Sequence, residues 1–371
     1  MTTIKKLSLL TIGLICLVAC DDNDKYVTPF PEPMEPDLEM AAIYVYCEGS
    51  YSASNSTIAY YDFDENTWDK DFFFTQNQRG LGASANDFQQ YGSKLYCVVT
   101  SSNTLEVIDA RTGTSIKKIS FVNEHGVGRQ PRYITFHKEK AYVCSFDNTV
   151  ARIDTTSMEI EAYAICGRNP DGICVANNKL YVSNSGGLDF PNYDRTVSVI
   201  DIARFEEIKQ IEVYPNPYKI AADSEGDVYV VSRRDYEDES VWQRIDSRTD
   251  QVVDTIKNMA PLNFTIHKDT AYLYSYDFNT GNSAFYVFDC KTETIIQDQF
   301  ITDGTEINAP YGINVSPVTG DVYITDARDY VTSGDLYCFD RNGKLKLRVE
   351  SIGLNPNTTV FVLRDKEKSL N

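Results

Sequence analysis

Most residues of this chain whose types could do chemistry stand where turns are predicted. Glu48, Asn184 and Asp326 offer carboxylate and amide oxygens, the hard donors that suit a calcium ion. Three histidines occur, His125, His137 and His267, with no paired metal-ligand spacing. Neither HExxH nor a nucleophile elbow is present. A larger set is suited to holding rather than reacting. Tyr51, Tyr218, Tyr236, Tyr276, Tyr311 and Tyr330 bring aromatic faces. Arg132, Arg233 and Arg234 bring guanidinium groups, Glu48, Asp171 and Asp326 acids, and Asn86 and Asn184 amides. Aromatics give a large contact area at low entropic cost, while the polar groups fix orientation. Such a set suits a broad, flat ligand with an amide- or hydroxyl-bearing rim.

These residues need elements to gather them, and the chain supplies repeats. "AIYVY", "KLYCV", "KAYVC", "KLYVS", "DVYVV", "TAYLY" and "DVYIT" centre on Tyr44, Tyr96, Tyr142, Tyr181, Tyr229, Tyr272 and Tyr323, spaced 39 to 52 residues apart. A second series follows each, ending at Asp62, Asp109, Asp154, Asp201, Asp246, Asp289 and Asp340. An Asp there accepts backbone N–H groups of the turn it opens. A third series precedes the tyrosines and starts at Pro131, Pro170, Pro217, Pro261 and Pro310, with Ala85 in place of proline in one copy. The copy missing before Tyr44 reappears at the far end, as "NPNTTVFVL" from Pro356. Proline suits the first residue of a strand, where its missing N–H is harmless.

Each unit therefore reads as strand a (Pro), b (Tyr), c (Asp) and a fourth strand d. Four strands recurring every 40–50 residues are a propeller signature. The prediction is an all-β, seven-bladed β-propeller. Its first blade takes strands b, c and d from residues 41–74 and its inner strand from the C-terminus, which removes the open edges. The d-to-a and b-to-c loops then share the face around the channel mouth. Long b-to-c loops, such as "SNSGGLDFPNYD" with Asp189, Tyr193 and Asp194, stand there, and loops longer than a fold needs tend to carry function. The residue after each proline points into the mouth: Asn86, Arg132, Asp171, Tyr218, Leu262, Tyr311 and Asn357. His137 and His267, at the ends of strand a, face away from it.

The 371 residues include 54 acidic and 35 basic side chains, a net charge of −19, which argues against nucleic acid and any broad phosphate-binding face. Local basic pockets remain compatible with it. Of nine cysteines, Cys47, Cys97, Cys144, Cys166, Cys174, Cys290 and Cys338 lie beyond the N-terminal segment. They have no CxxC spacing and read as buried small hydrophobes. The chain opens on an address. Lys5 and Lys6 precede the apolar run Leu7 to Val18, too short for an ordinary spanning helix. Leu17-Val18-Ala19-Cys20 resembles the lipobox of bacterial lipoproteins, which implies a signal peptide over 1–19 and lipid on Cys20. Asp21-Asp22-Asn23-Asp24 resembles the surface-export signal of some anaerobic Gram-negative gut bacteria. Residues 20–40, with Pro29, Pro31, Pro33 and Pro36, read as a tether, and 41–371 as the propeller.

"YVYCEGSYSASNSTIAYYD", "ANDFQQYGSKLYCVV", "GRQPRYITF" and "NNKLYVSNSGG" resemble the YncE-like, NHL-type seven-bladed surface lipoproteins of gut anaerobes, over roughly residues 41–364. One departure is Cys47 before Glu48-Gly49, where that family often has Asn. The resemblance implies capture of cobalamin (vitamin B12) or related corrinoids outside the cell. It further implies hand-over to a TonB-dependent outer-membrane transporter, no enzymatic activity, no resident cofactor and a membrane attachment by lipid alone. A corrin, a large amide-fringed plate of little net charge, fits the predicted mouth. Two alternatives remain at this point. One is a metal-dependent lactonase-type hydrolase using calcium, as sugar-lactone hydrolases on six-bladed propellers do. The other is a propeller scaffold for a protein or glycan.

Overall fold

The computed structural model describes residues 37–51, 53–235 and 238–366. These form seven four-stranded antiparallel sheets, the blades of a propeller. The inner strands are Pro356–Asp365, Ala85–Tyr91, Pro131–His137, Pro170–Ala176, Pro217–Ala222, Asn263–His267 and Pro310–Val315 for blades 1 to 7. Five blades beyond the first follow the a–b–c–d order with the proline or alanine opening the strand. In blade 6 the strand starts at Asn263, two residues after Pro261.

The Tyr and Asp series meet between blades, which explains why they recur together. The Asp carboxylate accepts the N–H groups two and three residues on, as Asp109 does from Arg111 and Thr112 at 2.9 Å each. This curls the turn and turns out the next carbonyl. At three junctions the tyrosine of the preceding blade donates to that carbonyl: Tyr44 to Ala110 at 3.1 Å, Tyr181 to Ser247 at 3.2 Å and Tyr229 to Cys290 at 3.2 Å. Each ring is buried, so one side chain supplies both apolar packing and a satisfied polar tip. The seven cysteines of the described residues are buried and free.

The ring closes as the displaced proline copy predicts. Pro356–Asp365 pairs with Leu38–Cys47, with Tyr44 opposite Val360 and Leu38 opposite Asp365. The b strand therefore begins at Leu38, inside the segment read as tether, and Glu39 pairs with Arg364 at 2.7 Å. Residues 1–36, with Cys20, lie outside the described residues. Blade 1 also corrects the expectation of a fourth strand running to residue 74. Its outer strand is only Thr67–Asp69, and a helix follows over Phe72–Asn77. Phe72 stacks on Tyr60 at 4.2 Å and Phe73 is buried, so two aromatics seal the side that a longer strand would have covered. Six residues are too few to carry a helical period in sequence.

Neighbouring inner strands approach closely where a glycine follows the proline by two. A Cβ on Gly312 would stand 2.1 Å from the Asn357 carbonyl oxygen, and one on Gly172 2.3 Å from that of Tyr218. Both glycines sit at bulges in the a–b ladder. Gly312→Ala is expected to cost about 1–3 kcal/mol by forcing blades 7 and 1 apart. Urea denaturation measures it, and an unchanged midpoint would show that the blades can yield.

Candidate functional site

The bulges also decide which side chains reach the axis. In blades 3 and 5 the ladder shifts between Pro131 and Ile134 and between Pro217 and Ile220. Two successive residues, rather than alternate ones, then face the channel. Arg132 with Tyr133 and Tyr218 with Lys219 line a well of about 150 Å³ at the mouth, with Glu48, Asn86, Asn263, Tyr311, Tyr330 and Asn357. Beside it a groove of about 660 Å³ runs between blades 5 and 6, lined by Asn258, Met259, Tyr276 and Asn282 among others. Arg233, Leu262 and Phe278 border both spaces, so they form one continuous depression.

The lining is braced before any ligand arrives. Arg132 Nε donates to Asp171 at 2.7 Å, and its guanidinium lies over Phe146. Asn86 Nδ2 donates to the Arg132 carbonyl at 2.5 Å. The Arg233 guanidinium covers the Tyr218 ring 3.3 Å from its centre, and the Tyr218 and Tyr133 hydroxyls share a hydrogen bond of 2.5 Å. The Tyr311 hydroxyl donates to Glu48, and the Tyr330 ring stands edge-on to it. Asn357 Nδ2 donates to the Ala85 carbonyl at 2.7 Å, while its Oδ1 is buried with no partner. Such an orphan acceptor is uncommon and fits a donor supplied from outside.

Burial pushes the Glu48 carboxyl up, and the Tyr311 hydrogen bond with the Arg132 and Arg233 charges offsets only part of this. The folded state thus keeps the proton to higher pH than the unfolded chain. Stability is lost as pH rises from the ordinary carboxylate range through the raised value. Glu48→Gln, which can still accept from Tyr311, is expected to remove that slope and raise the melting temperature near neutrality by about 1–3 °C. Calorimetry across this pH range checks it, and an unaltered slope would discount Glu48.

Of the residues singled out in sequence, Glu48, Asn86, Arg132, Tyr218, Arg233, Tyr311 and Tyr330 line the well, and Tyr276 lines the groove. Asp171 is buried against Arg132. Tyr51 is 74% exposed at a loop tip, outside both spaces. Arg234 pairs with Asp238 on its own loop. Tyr236 lies outside the described residues. Two placements correct the expectation. Asn184 is buried in blade 4, donating to Thr196 Oγ1 at 2.9 Å and Ser198 Oγ at 2.8 Å. Asp326 is buried in blade 7, accepting from the N–H groups of Ala309 and Arg328 at 2.8 Å and Asn308 at 3.1 Å. Asp326 spends its carboxylate on backbone N–H groups, and Asn184, whose Oδ1 is buried without a partner, is turned into blade 4; neither lines the well with Glu48, so the calcium set does not assemble. Among the described residues no group of three or more His, Cys, Asp or Glu is placed to hold a metal ion. The polar loop after Asn184 is likewise self-bracing: Arg168 pairs with Asp189 at 2.5 Å and donates to the Asn192 carbonyl. His137 and His267 end their inner strands at the far side, and His125 is exposed.

Sequence reasoning missed Tyr133, Lys219, Asn263 and Phe278. The first three each follow a ring position and reach the axis only through irregular strand starts. Phe278, 57% exposed, was one more residue of the "SYDFNTGNS" loop.

Over residues 41–362 the sequence matches the family described as domain of unknown function DUF5074. No curated protein matches it. Among solved structures, a quinonprotein alcohol dehydrogenase-like protein from Bacteroides thetaiotaomicron superposes with a TM-score of 0.62 at 17% identity, covering 85% of this chain and 77% of that one. Hydrazine synthase from Kuenenia stuttgartiensis gives 0.54 at 17% identity, over 68% and 74%. The computationally designed Ika8 protein gives 0.52 at 12% identity, over 72% and 87%. At these identities the likeness is one of fold.

Proposed function

Since the chain belongs to the DUF5074 family, a domain of unknown function, we propose its role from the site itself: non-enzymatic capture of a plate-shaped, amide-rimmed molecule at the propeller mouth, a corrinoid such as cobalamin. The observation that carries the reading is the braced aromatic and amide ring around the well. Tyr218 is clamped between Arg233 and Tyr133, and Tyr311 between Glu48 and Tyr330. Groups held in place beforehand lose little freedom on binding. A well of about 150 Å³ is too small for a corrin, so the plate rests across the rim and only its appendages descend. Amide N–H groups of the ligand meet Glu48 and the Asn357 Oδ1, and its carbonyls meet the guanidinium groups.

The lipobox-like Cys20 and the acidic run after it support a lipid-anchored position on the outer membrane, facing outward. Hand-over to a TonB-dependent transporter is proposed on the resemblance to the YncE-like surface lipoproteins. Titration calorimetry of the full chain with cyanocobalamin is expected to show saturable binding with a Kd of about 1 μM or tighter. No heat at protein concentrations of about 50 μM would reject the corrinoid.

A further inference from the structure

Lys219 is the unexplained charge of the channel. The bulge after Pro217 turns it to the axis, between the well above and a second space of about 380 Å³ below. Its ammonium lies 5.2 Å from the centre of the Tyr133 ring. Among the described residues it makes no ion pair and no hydrogen bond. The acids nearby are taken. Asp87 feels the Lys219 charge, but its oxygens accept from the N–H groups of Phe88 at 3.0 Å and Ile134 at 2.9 Å and from Gln89 Nε2 at 3.0 Å. Asp171 is held by Arg132, and Glu48 by Tyr311. The other two cations have partners of their own: Arg132 rests on Asp171 and Phe146, and Arg233 covers Tyr218.

We propose that the well is an oxyanion subsite in which Lys219 takes a phosphate or carboxylate group carried by the captured ligand. A half-buried ammonium beside the Tyr133 ring interacts with an anion more strongly than one on the open surface. A space of about 150 Å³ holds roughly five waters, enough for one such group and too little for a corrin. The net charge of −19 weakens the binding of free anions without abolishing it, so the subsite holds most tightly an anion attached to a body that binds the rim. The subsite deepens the capture reading and rests on it for the identity of that body; the anion itself can be tested apart.

Two measurements on the full chain decide it. In the first, inorganic phosphate is followed by phosphorus NMR against the wild type, Lys219→Met and Lys219→Gln. Line broadening by the wild type that both variants lose supports the subsite. Broadening that persists in either variant, or none at all, overturns it. Acetate that reverses the broadening adds carboxylates to the ligand class, and acetate without effect restricts it to phosphoryl groups. In the second, cyanocobalamin, which carries a nucleotide phosphodiester, is compared with dicyanocobinamide, which lacks it. The expected preference is about tenfold for the former, as for one charge-assisted hydrogen bond, and it disappears in both variants. If both corrinoids bind alike and the variants change nothing, the subsite falls while capture stands. If neither corrinoid binds but phosphate depends on Lys219, the corrinoid falls and the subsite stands.

Discussion

Replacing Tyr218 and Tyr311 together by alanine is expected to weaken cyanocobalamin binding by at least about a hundredfold, as for two aromatic anchors at the centre of a site. Each ring does more than present a face. Without Tyr218, Arg233 loses the surface it covers and Tyr133 its hydroxyl partner. Without Tyr311, Glu48 loses its donor and is left as a buried carboxyl with the distant help of two guanidinium groups. The single Tyr311→Phe variant separates the two contributions, since it keeps the ring and removes only the hydroxyl. Titration calorimetry supplies the affinities and a thermal melt confirms that the variants fold. A folded double variant that binds within threefold of the wild type would remove these two rings from the site.

Deleting residues 356–371 is expected to abolish cooperative unfolding altogether. The deletion takes away the inner strand of blade 1 and opens the edge of Leu38–Cys47 along its whole length. Val360 and Val362 pack with the cluster around Tyr44 and Phe88, and Phe361 packs on Tyr323 at 4.9 Å. Three such side chains contribute about 1.5–3 kcal/mol each, before the lost ladder is considered. A native domain has only about 5–15 kcal/mol in reserve. Differential scanning calorimetry of the truncated chain should show no sharp transition, and a peptide spanning 354–366 added in trans should restore one in part. A truncated chain that melts cooperatively within about 5 °C of the full one would mean that the ring does not depend on its closing strand.

The overall fold was legible because it is written in local, repeated patterns. The tyrosine of strand b and the aspartate of strand c recur because each blade repeats the same strands and turn, and at Tyr44, Tyr181 and Tyr229 the two series meet across blades. The closure was legible from one displaced proline motif. The helix Phe72–Asn77 was not, since its stability comes from Tyr60 and the blade it covers rather than from its own six residues.

For the site, sequence alone determined which positions ring the mouth, because the proline-led strand sets where each inner strand starts. What lies within reach of a ligand was decided by the tertiary structure. Asn184 and Asp326 look like ligand-binding residues by type, yet Asn184 is buried within blade 4 with its amide N–H groups on two hydroxyls, and backbone N–H groups claim Asp326. Lys219 follows the ring position Tyr218, and only the bulge after Pro217 brings it to the axis. A side chain's chemistry is local, but its availability depends on every group that competes for it, and those competitors come from distant parts of the chain.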